Sequence, residues 1–137
     1  MKTSIIRTVL VLAALTLASP ALAAPATVDT LRSVNDQVNA IPKTTPAKWS
    51  RPEHGGGDAP GQGYVWDCED YAREKRDRLS RRGVRALELV TTTPEGIAHA
   101  MLYVELDGQQ YVLDNIHKKV MPVAEALVLY PSDWRFR

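Results

Sequence analysis

Cys68 is the only cysteine in the chain, and it lies within Trp66-Asp67-Cys68-Glu69-Asp70-Tyr71, among three carboxylates. One cysteine cannot close an internal disulfide, and in an oxidising compartment such a thiol is a candidate reactive group. To act as a nucleophile it needs a base within reach and a third group that holds the base in place. His99 and Asp114 are the residues that the downstream sequence offers for these two roles. The reading is therefore a Cys68-His99-Asp114 triad for acyl transfer through a thioester. The other histidines, His54 and His117, make no zinc-like spacing with Cys68.

The thiol's position follows from the helix predicted over Asp67 to Arg82, with Gly83 as its stop. Asp67 is a natural N-cap, which puts Cys68 in the first turn, where free N–H groups and the helix dipole favour a thiolate. The Cys68 amide is also a candidate oxyanion-hole donor. Asp67, Glu69 and Asp70 work against the thiolate unless a cation offsets them. Two explanations of these carboxylates stand side by side: capping with first-turn preference, or a calcium site of hard oxygen ligands. Cys68, Tyr71, Ala72, Lys75 and Leu79 share one helix face. Glu69–Arg73, Glu74–Arg78 and Asp77–Arg81 are acid-before-base pairs at i, i+4, so the arginine-rich remainder reads as a solvated face.

The base and its orienting acid are placed by a hairpin. Ala98 to Leu106 and Gln109 to Asp114 flank Asp107-Gly108, a strong signal for a two-residue turn. That turn pairs Leu106 with Gln109 and sets His99 opposite Ile116. Asp114 then becomes the diagonal neighbour of His99 on the same face, with α-carbons about 7–8 Å apart. Leu102, Val104, Tyr111 and Leu113 occupy the other face.

The remaining chain frames these elements. Met1 to Ala23 has a short basic start, an apolar run from Val9 to Ala18, and a small-x-small ending in Ala21-Leu22-Ala23, the pattern of a cleaved signal peptide. Residues 24–137 then read as one domain, and the expected location is the periplasm. Lys2 and Arg7 lie in the leader, so the rest of the chain is close to neutral, which speaks against nucleic acid as a partner. No later segment is long and apolar enough to span a membrane. Val28 to Val38 reads as a helix stopped by Pro42. Lys43 to Gly63 reads as a loop with Trp49 as its anchor, and Pro52 to Gly63 as a surface loop close to the cysteine. Arg85 to Thr92 and Val123 to Tyr130 read as strands, with Trp134 and Phe136 pinning the C-terminus.

Asp67-Cys68-Glu69-Asp70-Tyr71-Ala72, Ala98-His99-Ala100-Met101-Leu102 and Tyr111-Val112-Leu113-Asp114-Asn115, in this order, resemble the bacterial transglutaminase-like cysteine peptidases of the LapG type. Val34-Asn35, Trp49 and Pro52-Glu53 are similar to the family's upstream pattern, so the resemblance runs over about residues 34–116. It implies an α+β, papain-like or transglutaminase-like fold with the nucleophile at a helix N-terminus packed on a small antiparallel sheet. It further implies Cys68 as nucleophile, His99 as general base and acid, Asp114 as orienting acid, and calcium held by Asp67, Glu69 and Asp70. The implied substrates are proteins such as surface adhesins, whose cleavage controls biofilm attachment, and the implied regulator is an inner-membrane receptor that reads a cyclic dinucleotide. The chain departs from the family in a shorter N-terminal helical region and in Trp66, which stands where relatives usually carry glycine. Trp66 is thereby expected to crowd or line the cleft. Competing readings are an amidase or transamidase using the same thioester, a calcium-responsive binding module without catalysis, and a redox-sensing thiol.

Overall fold

A computed structural model of the chain describes residues 24–45, 64–131 and 133–137. The expected leader, Trp49, His54 and the Pro52–Gly63 loop lie outside the described residues. Helix α1, Val28–Asn39, buries Leu31, Val34 and Val38, three of the apolar positions that recur at helical spacing. After it, β1 (Thr44–Thr45) pairs antiparallel with β2 (Tyr64–Val65). The segment expected to be loop throughout is therefore joined at its base, and the Trp66 amide bonds the Lys43 carbonyl at 2.6 Å.

Helix α2, Cys68–Ser80, starts at an Asp67 N-cap and buries Tyr71, Ala72, Lys75 and Leu79, the face predicted from sequence. Gly83, at φ +73°, takes the left-handed backbone that lets the chain leave the helix. Three strands follow: β3 (Ala86–Thr92), β4 (Ala98–Leu106) and β5 (Gln109–Leu113). Asp107 and Gly108 both have positive φ, at 52° and 73°. This is the two-residue turn that matches the right-handed twist of paired strands. The register is the expected one, from Leu106 opposite Gln109 to Leu102 opposite Leu113.

The chain closes with β6 (Val120–Pro122), α3 (Val123–Leu129) and β7 (Arg135–Phe136), completing an antiparallel sheet of order β6-β5-β4-β3-β7. The strand expected over Val123 to Tyr130 is thus a helix. A seven-residue run of Val, Ala and Leu with a single Glu suits either state, and length and periodicity cannot separate them. The helix buries Ala126 and keeps Val123 and Leu129 half-buried, while Leu127 and Val128 face outward.

The sheet separates two cores, so the fold is α+β in three layers. On one face α1 and α2 contribute Leu31, Val34, Val38, Tyr71 and Leu79, which pack against Leu102, Val104 and Leu113. On the other, Ala126 and Tyr130 pack against Leu89, Met101, Val112 and Met121. Pleat alternation along β4 and β5 assigns these two sets.

Lys75 belongs to the first layer and is only 1% exposed. Burial drives its ammonium down to about 7, opposed by the attraction of Asp114. Between that value and the ordinary lysine value the unfolded chain keeps a proton that the folded chain has released. The lysine therefore opposes folding most below pH 7 and less as the pH rises. Lys75→Met is expected to stabilise the fold, by roughly 2 kcal/mol more at pH 6 than at pH 9. Urea denaturation at the two pH values measures the difference, and an equal effect at both would contradict a buried, titrating lysine.

Candidate active site

Asp67 sets the start of α2 and thereby the place of the thiol. Its Oδ1 accepts the amides of Glu69 at 2.9 Å and Asp70 at 3.1 Å, and Asp70 Oδ2 accepts the Asp67 amide at 3.1 Å. This reciprocal box satisfies first-turn donors and leaves the Cys68 amide outside it. Cys68 is a free thiol and partly exposed.

His99 sits at the start of β4, opposite Thr91 of β3, and is 3% exposed. Its Nε2 lies 2.8 Å from Asp114 Oδ1, which leaves Nδ1 for the thiol. Burial alone would depress the imidazole, but hydrogen bonds and charge from Asp114 and Cys68 reverse that and raise it to about 9. These neighbours favour the protonated ring, which has the thiol on one side and a carboxylate on the other.

Asp114 reaches His99 by a route slightly different from the one expected. The β4–β5 ladder ends at Leu102 opposite Leu113, so Ile116 is not a ladder partner of His99. The chain turns at Asp114 instead. Its Oδ1 accepts the Ile116 amide at 3.0 Å, and its Oδ2 accepts the His117 amide at 3.1 Å. The Tyr130 hydroxyl donates to Oδ2 at 2.7 Å. Asp114 is fully buried, which by itself would raise its carboxyl, yet the bonds from His99, Tyr130 and the two amides hold it well below the usual carboxylate range.

Three contributors were not foreseen in the sequence. Tyr130 follows the misread helix, and its hydroxyl is pushed upward by burial and by Asp114, so it stays a donor. Asn39, at the end of α1, donates from Nδ2 to the Asp114 carbonyl at 2.9 Å. Arg137 pairs with Glu69 at 2.8 Å and lies 3.6 Å from Glu88. Its positive field also reaches Cys68, so it is a cation of the kind that the acidic first turn calls for. Nothing in the local sequence around these residues marks them; only the three-dimensional arrangement does.

The three carboxylates considered for calcium have the right hard-oxygen chemistry but are turned to different partners. Asp67 caps the helix, Glu69 meets Arg137, and Asp70 lies 4.0 Å from Arg73. Among the described residues, no group of three or more His, Cys, Asp or Glu is set to hold a metal ion.

A cleft of about 810 Å³ opens at Cys68 and His99, a size typical of ligand sites. Trp66 lines it, its ring 5.2 Å from that of Tyr71, whose hydroxyl donates to the Ile41 carbonyl at 2.8 Å.

Comparison with known proteins adds to this geometry. The family described as bacterial transglutaminase-like cysteine proteinase, BTLCP, matches residues 15–131. No curated protein is a significant match. Among solved structures the chain is similar to Legionella pneumophila LapG in three forms. The EGTA-treated form has 22% identity and a TM-score of 0.49, over 73% of this chain and 58% of that one. A further LapG structure has 22% identity and a TM-score of 0.49, over 73% and 60%. The calcium-bound form has 21% identity and a TM-score of 0.49, over 77% and 60%. The match thus spans about three-fifths of the length of those LapG chains.

The Tyr130 bond is open to a direct test. Tyr130→Phe removes one of the donors to a buried carboxylate while keeping the ring, and should cost about 1–2 kcal/mol of stability at neutral pH. Chemical denaturation measures this, and an unchanged midpoint would mean that the hydroxyl is dispensable to Asp114.

Proposed function

The chain belongs to the bacterial transglutaminase-like cysteine proteinases, and from that premise we propose that it hydrolyses peptide bonds through a thioester on Cys68, with His99 and Asp114 completing the triad. The observation that carries this reading is His99, held by a buried carboxylate on one side and interacting with the thiol on the other. In the proposed cycle the Cys68 thiolate attacks the amide carbonyl carbon and the His99 imidazolium gives its proton to the leaving amine. The C–N bond then breaks. Water next attacks the thioester, with neutral His99 taking its proton, and the acid product leaves. Asp114 holds the ring through both steps, and the Cys68 amide serves as one oxyanion donor. An amine in place of water would give transamidation by the same route.

The reading extends to a periplasmic enzyme acting on envelope or surface proteins such as adhesins, under an inner-membrane regulatory receptor. The apolar leader with its Ala21-Leu22-Ala23 ending supports the export part. Among the described residues no helix is long and apolar enough to cross a membrane.

Calcium belongs to this proposal as a ligand of the turn formed by Asp67, Glu69 and Asp70. Bound there, it would supply positive charge beside the thiol and offset the three carboxylates. Glu69 would have to leave Arg137; both side chains are about half exposed, and exposed pairs are weak. Calcium is expected to raise the melting temperature of EGTA-treated protein, and Glu69→Gln should abolish the rise. A flat titration in the wild-type protein would remove the ion from the proposal.

The triad is tested by alkylating Cys68 with iodoacetamide across pH 5–10. Because His99 is raised to about 9, the imidazolium persists through neutral pH and is lost as the pH climbs past that value. Peptide hydrolysis should therefore fall on the alkaline side near pH 9. Alkylation below pH 7 should slow by about a hundredfold in His99→Ala. A thiol that titrates like free cysteine near pH 8.5, indifferent to His99, would overturn the reading.

A further inference from the structure

The cleft beside the thiol is lined by apolar side chains that the fold leaves in solvent. Among the described residues, six large apolar side chains are exposed, and three of them, Val65 at 55%, Ile97 at 64% and Ile116 at 53%, line this cleft. They come from separate segments: Val65 from β2 just before the nucleophile, Ile97 two residues before His99, and Ile116 two residues after Asp114. Trp66 adds a half-buried ring to the same lining. Each of the three triad positions thus carries an exposed aliphatic residue within three positions of it in sequence. Among the described residues, none of the three belongs to either buried core. Apolar surface left in water is unfavourable, and a ligand that covers it recovers that free energy. Charge in the lining comes from side chains of both signs, Lys43 and Lys118 against Glu95 and Asp67, so net charge does not select a strongly acidic or basic peptide.

Resting on the cysteine-peptidase reading above, we propose that this cleft selects an extended polypeptide with large aliphatic or aromatic side chains flanking the scissile bond, gripped by Val65, Trp66, Ile97 and Ile116. The substrate class is then an apolar-flanked segment of a protein, as opposed to a charged linker. Ile97 and Ile116 are specificity-determining residues in this account. They act on binding, while the thiol, imidazole and carboxylate act on the bond.

The test uses the purified protein and peptidyl acyloxymethyl ketones, which alkylate an activated cysteine after docking in the cleft. One probe series carries Leu or Phe beside the warhead, the other Asp or Lys. Each Cys68 labelling rate is divided by the same variant's iodoacetamide rate, so that thiol reactivity cancels. The apolar series is expected to label about tenfold faster than the charged series. That preference should fall several-fold in Ile97→Ser and in Ile116→Ser, through weaker half-saturation with little change in the limiting rate. Charged probes that label as fast as apolar ones, or a preference untouched by both substitutions, would overturn the inference while leaving the activated thiol standing. An iodoacetamide rate indifferent to His99→Ala would bring down the peptidase reading, and this inference with it.

Discussion

A carboxylate with no access to solvent is tolerated only where the protein supplies donors in place of water. Asp114 is that group here, and much of the second half of the chain is arranged to satisfy it. His99 comes from β4, two amides come from the turn after β5, and the Tyr130 hydroxyl comes from the end of α3. Asn39 reaches across from α1 to the same residue's carbonyl. Once these donors are in place the carboxylate stays ionised. An ionised carboxylate against the ring favours the protonated imidazole. The charge of the His99–Asp114 pair therefore depends on how this one buried carboxylate is hydrogen bonded.

The beginning of α2 shows a balance of a different kind. Three carboxylates crowd the thiol, which by charge alone would oppose the thiolate. The structure divides them among separate tasks: Asp67 spends its Oδ1 on helix amides, Asp70 returns a bond to the Asp67 amide, and Glu69 meets the C-terminal Arg137. That last contact depends on β7, whose pairing with β3 carries Arg137 to the helix start. A short edge strand with little buried area thus contributes to the electrostatics of the site.

Those parts of the fold that rest on local rules were legible in the sequence. The Asp67 N-cap, the apolar face from Tyr71 to Leu79, and the register fixed by Asp107-Gly108 each follow from a few adjacent residues. The run Val123 to Leu129 was not legible, because its composition suits either a strand or a helix and only packing on the second sheet face decides. Tyr130 was missed for the same reason: a tyrosine at the end of an assumed strand gives no hint that its hydroxyl meets Asp114. Arg137 and Asn39 were missed because their partners are far away in sequence. Asp114 itself was legible in position, while the turn that fills its second oxygen was not.

The order in which these groups occur along the chain bears on its synthesis. Translation delivers Cys68 first, then His99, then Asp114, and only afterwards Tyr130 and Arg137. A nascent chain therefore presents its thiol before the imidazole has an anchor, and the anchor before its own last donor. The surroundings of the sulfur are therefore completed late: the last donor to Asp114 and the cation beside Glu69 come only with the residues that follow α3 and end β7.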